Sequence, residues 1–464
     1  MTANRSPFDV ASTLWTDAGG PTQTLGSLSL TGADAVLPSI FRVGTAAITT
    51  IAGAVLATAE IAHHRTRRRP TVTVGGRESA VAFRSERYLR IDGQPVPNPW
   101  DPISGYYRCG DDRWVQLHCN FPHHRDGVLD HFGLPADRSQ LEAAIAERAA
   151  PDVESELAAK GLCVAMMRSR DEWRAGPGAP LGDQPLVQIS RIGDAPPRPL
   201  RAGSGGPLSG LRVLDLTRVL AGPICSRFLA SHGADVMRVG ASRLPTIGTL
   251  LADTNLGKRW ADIDLKSGEG TAALRALEHD ADLFIQGYRP GAINDLGFGP
   301  EAVAERQPGI VYVSISAFGH DSPWAPRRGF DSLTQMASGI AEEAARAKGL
   351  DGPVPLPCQA LDHGTGYLAA MGALLARRRV ALEGGSWHVQ VSLARTGWWL
   401  DDLGRVPGGF DHPDPTAADV AELLVSSSST TGPTRHAPPP GQLDASPGRW
   451  VLPAPTKPNS AARW

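Results

Sequence analysis

The chain has 464 residues, 41% of them hydrophobic and 20% charged, which is enough for two or three full cores and too apolar for wholesale disorder. Its 46 basic and 48 acidic groups leave a formal net charge of −2, which argues against a dedicated nucleic-acid binder or a polybasic membrane protein. The five widely spaced cysteines, Cys109, Cys119, Cys163, Cys225 and Cys358, form no C-x-x-C. They argue against a disulfide framework or zinc ribbon and fit a reducing cytoplasm.

The opening stretch MTANRSPFDVASTLW has one arginine and no apolar run, so no secretory signal is expected. Val43 to Ala59 carries no charge but is rich in Ala, Thr and Gly. A membrane span needs ~20 strongly apolar residues, so a buried helix is expected instead. Tyr106–Cys109 and Trp114–Cys119 flank a Gly110-Asp-Asp turn and read as a hairpin. Leu141–Ala149 and Asp152–Lys160 read as helices, which makes the first region a small α+β unit.

The run Arg201-Ala-Gly-Ser-Gly-Gly-Pro207 reads as a linker. The expected divisions are residues 1–200, a linker over 201–209, a second region over 210–407 and a Pro/Ser-rich tail over 408–464. In the tail only Ala417–Val425 reads as helical. The second region alternates clearly. Leu211–Leu216, Ala234–Val239, Asp282–Gln286 and Ile310–Ile315 read as strands. Helices are expected from Pro223 to His232, with Gly233 as the stop, and over Gly270–His279 and Glu301–Gln307. Such alternation predicts an α/β fold with a parallel sheet. Ligands then bind beyond the carboxyl ends of the strands, which points to the loops Thr217–Gly222, Gly287–Gly291 and Ser316–Gly319.

Two segments are alike, 41–74 and 360–391. Each has a small-residue helix, a basic cluster and an alternating strand, which reads as an internal repeat. Aligning Gly53 with Gly372 sets Val43 opposite Asp362, so only the second copy carries a carboxylate.

That carboxylate lies in Leu361-Asp-His-Gly-Thr-Gly-Tyr367. A helix N-terminus would keep Asp362 ionised, and Gly364 and Gly366 would let a bulky substrate approach. An ionised, accessible carboxylate can attack a thioester; an Asp in this place is also a common helix cap. His124, His320 and His363 read as structural or solvated. His118, His123 and His124 lack zinc spacing, and Cys225 and Cys358 read as buried, inert thiols. The loop Thr217-Arg-Val-Leu-Ala-Gly-Pro223 lacks G-x-G-x-x-G, which argues against a nicotinamide dehydrogenase. Lys258-Arg259 and Tyr288-Arg289 offer cations and an aromatic face to a nucleotide-like ligand, and solvated surface is an equal alternative.

Seven motifs in order then resemble the family III CoA-transferases. They are Pro207-LSGLRVLDLTRVLAGPICSRFLASHGADVMRV, Asn255-LGKRWADIDLKS, Ala281-DLFIQGYRPGAINDLGFG, Val311-YVSISAFGHDSPW, Arg328-GFDSLTQMASG, Ala360-LDHGTGYLAAMGALLARRR and Gly384-GSWHVQVSL. They cover about 207–395. The first region resembles the later part of the same family, through 41–74 and Gly105-YYRCGDDRWVQLHCN, so the chain resembles two incomplete copies.

The resemblance implies a large domain with a Rossmann-like parallel sheet, a smaller α+β domain and an interlocked homodimer; a cytoplasmic location is expected from the cysteine usage. It implies Asp362 as a nucleophile that forms a mixed anhydride with the acyl donor and then an aspartyl-CoA thioester. Val219, Leu220 and Ala221 match a loop along CoA, Lys258 and Arg259 a basic pair near its nucleotide, and Tyr288 an aromatic over the adenine. The implied partners are an acyl-CoA and a carboxylic acid. Neither a metal nor a permanently bound cofactor is implied, and neither nucleic acid nor membrane is an expected partner. Gly240-Ala241 and Asp295 depart from the family's usual charges, and Phe330 replaces the histidine of the racemase branch. A CoA-transferase is expected. The alternatives are an acyl-CoA racemase or isomerase of the same fold and a non-catalytic CoA-binding subunit.

Overall fold

The computed structural model describes residues 5–32, 37–201, 203, 205–429, 432–444 and 446–464. Ala202 and Ser204 of the expected linker lie outside the described residues, as do Thr430, Thr431 and Ala445 of the expected tail and the first four residues of the chain.

A seven-stranded sheet organises the molecule. Its strands are β1 (Gln188–Gly193), β2 (Arg212–Leu216), β3 (Asp235–Gly240), β4 (Lys258–Asp262), β5 (Leu283–Gln286), β6 (Val311–Ser316) and β7 (Ser386–Ser392). Their order across the sheet is β4-β3-β2-β5-β6-β7-β1. All pairs are parallel except β7 with β1. Alternate residues serve opposite faces: Val213, Val236, Ile285 and Val313 enter one apolar cluster, and Leu214, Met237, Phe284 and Tyr312 enter another. With both faces covered, the strands need near-continuous apolar runs. Each fully buried side chain of this size contributes ~1.5–3 kcal/mol. The strands and helices expected between 211 and 316 form within two residues of their expected bounds.

β1 comes from the first region. Its Ile189 pairs with Val389 of β7, so it covers an edge that would otherwise expose unpaired N–H and C=O groups. The first region also supplies α1 (Val43–Thr66), which contains the uncharged Val43–Ala59 segment expected to be a buried helix. It is long and apolar enough to cross a membrane, yet it is buried. The later elements that matter for the site are α2 (Ser85–Tyr88), α3 (Ala221–Ser231), α4 (Asp331–Ala337) and α5 (Ala360–Glu383). α1 and α5 share one apolar cluster. A Cβ on Gly53 of α1 would lie 2.6 Å from Sδ of Met371 on α5, so a side chain there would have to displace the Met371 thioether. The strand after α1, Val72–Gly75, joins a separate three-stranded sheet, whereas the strand after α5 is β7 of the large sheet.

The hairpin Gly105–Arg108 with Trp114–Leu117 forms as expected and takes Val164–Met166 as a third strand. Helices Arg138–Ala146 and Ala150–Ala159 pack on it. The helix expected over Ala417–Val425 does not form. A 3₁₀ turn spans Ala421–Leu423, and strand Val425–Ser429 pairs with Gly432–His436, which pairs in turn with Arg90–Ile91. The following serines bond their own backbone readily and favour helix weakly. Farther on, the tail lies against the large sheet's helices: Trp450 Nε1 donates to the Arg227 carbonyl at 3.0 Å and Asn255 Nδ2 to the Pro455 carbonyl at 2.7 Å.

Candidate active site

The loops after β2, β5 and β6 open at the carboxyl ends of parallel strands, and all three line one cleft of about 370 Å³. A second cleft, of about 340 Å³, is lined by Glu86, Trp100, His118 and Asn120 from the first region and by Ile247, Leu250 and Asp331 from the second. The two clefts share Val219, Leu220, Phe330 and Asp362. Val219 has φ of 71°, a left-handed conformation that a β-branched residue seldom adopts. This strained turn lies where the clefts meet, between β2 and α3.

Asp362 sits in the first turn of α5, three residues after the cap position at Gln359. It is therefore not the helix cap. Asp331 of α4 takes that role from outside: its Oδ2 accepts the N–H of Leu361 at 2.8 Å and that of Asp362 at 2.9 Å. Gln335 holds the other oxygen of Asp331 and accepts the Leu356 N–H at 2.7 Å. The Asp362 carboxyl is thus left to the clefts, although the residue is only 8% exposed.

The helix N-terminus led to the expectation of an ionised Asp362, and burial works in the opposite direction. Burial raises its pKa well above the usual carboxylate value, the nearby Asp331 and Glu86 carboxyls add to the effect, and the Ala221 backbone N–H opposes it. Asp331 is itself pushed up to about 6, chiefly by burial. Taking a charge out of water costs more here than one helix dipole returns. The next residue, His363, is fully buried. Its Nε2 lies 3.1 Å from Oε2 of Glu86, and Phe83 stacks on its ring with 5.4 Å between centroids.

Gly364 and Gly366 do not face a ligand as expected. A Cβ on Gly366 would lie 2.6 Å from the Ala221 carbonyl oxygen, and one on Gly364 would lie 3.3 Å from Cγ2 of Thr396. These glycines admit neighbouring helices.

Val219, Leu220, Ala221 and Tyr288 line the larger cleft. Lys258 and Arg259 line neither cleft. Lys258 has no exposed side-chain surface and pairs with Asp215; burial lowers its pKa to about 8 against the pull of that carboxylate. Arg259 pairs with Asp235 at 2.7 Å and donates to the Arg463 carbonyl at 2.8 Å. The cations that do line the larger cleft are Arg218, Arg289, Arg327 and Arg328. Sequence reasoning singled out only Arg289 among them. The signal available was position: Arg218 lies in the first strand-end loop, and Arg327-Arg328 directly precede Gly329-Phe330-Asp331.

The bland readings of the other candidates have physical counterparts. All five cysteines are buried and unpaired, and burial raises the thiol pKa of Cys225 and Cys358. His118 stacks on Phe330 with 3.7 Å between centroids, and burial lowers its pKa to about 3. Among the described residues, no group of three or more His, Cys, Asp or Glu side chains could hold a metal ion. The site is a nearly buried carboxyl between a cation-lined cleft and a mixed apolar and polar chamber. Such a group can bond covalently to an acyl carbon once it loses its proton.

The model for CoA-transferase family III matches residues 208–403. An acetyl-coenzyme A transferase of Hypoxylon pulicicidum is 36% identical over 227 residues, covering 48% of this chain and 37% of that protein. An acyl-CoA transferase of Gibberella moniliformis is 32% identical over 305 residues, covering 60% of this chain and 53% of that protein. The chain thus spans between about a third and about half the length of these relatives. Among solved structures, Rv3272 from M. tuberculosis is 27% identical, with a TM-score of 0.39, covering 43% of this chain and 59% of that one. Over residues 208–403, the chain is similar to CoA-transferase family III.

Proposed function

We propose that this protein moves CoA from an acyl-CoA donor to a free carboxylic acid, with Asp362 as covalent nucleophile. The observation that carries this reading is the place of the Asp362 carboxyl in the walls of both clefts. One cleft can hold CoA while the other holds the acyl group. The Asp362 carboxylate attacks the thioester carbonyl, the C–S bond breaks and CoA leaves as thiolate. The thiolate then attacks the Asp362 carbonyl of the mixed anhydride, which frees the first acid and leaves an aspartyl-CoA thioester. A second acid takes CoA by the same steps in reverse, so protons balance over the cycle and no oxidant or reductant is needed.

The larger cleft is the CoA side in this reading. Arg218, Arg327 and Arg328 offer charge to phosphates, Tyr288 offers a ring to the adenine, and Val219–Ala221 lie along the pantetheine arm. The sheet, read from β2 to β7, has the 3-2-1-4-5-6 order of Rossmann-like folds, and its switch point falls between β2 and β5, beside this cleft. The protein works in the cytoplasm as a homodimer, and both walls of the smaller cleft come from one chain.

The test is incubation with acyl-CoA and hydroxylamine, followed by peptide mass spectrometry. Modification of Asp362 with loss of transfer is expected. Asp362→Ala should lower transfer at least ~10³-fold, by removing the attacking group, and should still fold, because it deletes a costly buried carboxyl. Retained transfer in Asp362→Ala rejects the mechanism.

A further inference from the structure

Three carboxyls line the smaller cleft, and the mechanism above uses one as nucleophile and explains a second as a helix cap. The third, Glu86, comes from the first region. Its side chain is 12% exposed. α2 is fastened on both sides: Ser85 Oγ donates to Asp253 at 2.7 Å and accepts from Arg227 at 3.1 Å, and Tyr88 donates its hydroxyl to the Pro415 carbonyl at 3.1 Å. These bonds fix the backbone from which Glu86 reaches the cleft.

His363 holds the Glu86 carboxylate at 3.1 Å through Nε2. Its Nδ1 is buried with no hydrogen-bond partner among the described residues. The tautomer that donates from Nε2 leaves only a lone pair unsatisfied there, whereas an N–H at Nδ1 would be a buried orphan donor. His363 is also the residue directly after Asp362, so one helical turn carries both the nucleophile and the group that grips Glu86.

We propose that Glu86, held by His363, is a positioning residue whose fixed negative charge keeps Asp362 in its neutral form in the empty cleft and so sets the acidic limit of the reaction. This inference rests on Asp362 being the nucleophile. Burial works to raise the pKa of Glu86, but the hydrogen bond from His363, with a backbone hydrogen bond and the nearby Arg87, works against it and the net direction is down. Facing Asp362 are the carboxyls of Asp331 and Glu86. Around Glu86 stand His363, Arg87 and Arg227, and His118 lines the same cleft. Two carboxyls in one dry cleft cannot both ionise cheaply, and His363 decides in favour of Glu86.

The test follows the infrared C=O band of the protonated Asp362 carboxyl against pH, in the full chain without substrate, with Asp362→Asn to assign the band. In Glu86→Gln the midpoint should move down by about one pH unit or more, the size expected from removing one nearby charge in a poorly solvated site. The acidic limb of kcat/KM should move the same way. Glu86→Ala gives the same readout where Glu86→Gln does not fold. His363→Leu, which frees Glu86, should move the midpoint less than Glu86→Gln. An unmoved midpoint in a folded Glu86 variant overturns the inference. If the midpoint moves but the wild type passes CoA to no acid, the coupling stands and the transfer reading fails. If transfer is found and the midpoint stays, the inference alone fails.

Discussion

Nζ of Lys258 lies 2.9 Å from Oδ2 of Asp215 and 3.0 Å from the carbonyl oxygen of Pro223. Asp215 also accepts the Thr217 N–H at 2.9 Å and the Ser226 hydroxyl at 2.6 Å. One buried ion pair thus ties β4, β2 and the first turn of α3 together beneath the strand-end loop.

Lys258→Met should therefore act on stability. Removing one partner leaves Asp215 buried without its cation, a loss of about 3–5 kcal/mol. Urea unfolding should show that loss, and Asp215→Asn combined with Lys258→Met should recover part of it. Wild-type unfolding with weakened acyl-CoA affinity would instead restore Lys258 to the ligand.

The close approach of α5 to α3 makes a second case. Gly366→Ala puts a Cβ 2.6 Å from the Ala221 carbonyl oxygen and 2.9 Å from Cβ of Ile224. Overpacking of this kind costs about 1–3 kcal/mol. It also pushes the Val219–Ala221 turn away from Asp362, so a lower melting temperature and a higher KM for acyl-CoA are expected together. Gly364→Ala meets its nearest neighbour only at 3.3 Å and gains up to about 1 kcal/mol of helix propensity, so it should be near neutral. Equal losses from both variants would contradict the packing account.

These two cases show what the sequence carries and what it withholds. Strand positions follow from local apolar runs, and the three loops that line the larger cleft follow from strand direction, so both were legible. So was Asp362, through the ordered motifs around it. The charge state of Asp362 was not, because it depends on Asp331 and on Glu86, which lies 276 positions before it. The fate of Lys258 was hidden for the same reason: its partner lies 43 residues away, and a Lys-Arg pair on a strand reads alike whether it meets phosphate or a buried carboxylate. β1 was missed because its half-buried, mixed pattern shows neither clean alternation nor an apolar run.

Phe330 stands where the racemase branch of the resembled family has histidine. Its ring lies on His118 in the smaller cleft, and burial there holds His118 neutral, with its pKa at about 3. A histidine at 330 enters the same poorly solvated setting, where the burial that keeps His118 neutral keeps it neutral too, so it cannot donate a proton to the second face of the α-carbon, as racemisation needs. Phe330→His should incorporate no deuterium at the α-carbon of an acyl-CoA in heavy water, as read by mass spectrometry. Exchange as fast as transfer would overturn this account.

The raised carboxyls also shape the dependence of stability on pH. In the unfolded chain Asp331 and Asp362 lose their protons near 3.8, whereas in the folded protein Asp331 titrates at about 6 and Asp362 well above its usual value. Between about pH 4 and 6 the folded state thus binds more protons than the unfolded state, and linkage makes stability fall as pH rises. The contribution of the pair is complete below about pH 4 and declines through pH 6. Asp331→Asn removes one of the two carboxyls; its amide oxygen still accepts the N–H groups of Leu361 and Asp362, while its NH2 meets the Gln335 NH2 that donates to Asp331, a cost that does not vary with pH. It also removes a carboxyl that raises the pKa of Asp362. Relative to wild type, the variant should gain stability by a few kcal/mol between pH 4 and pH 7, since one pKa unit is about 1.4 kcal/mol. Thermal unfolding of both proteins across that range measures the difference, and parallel curves would mean that the carboxyls do not share their protons as the geometry implies.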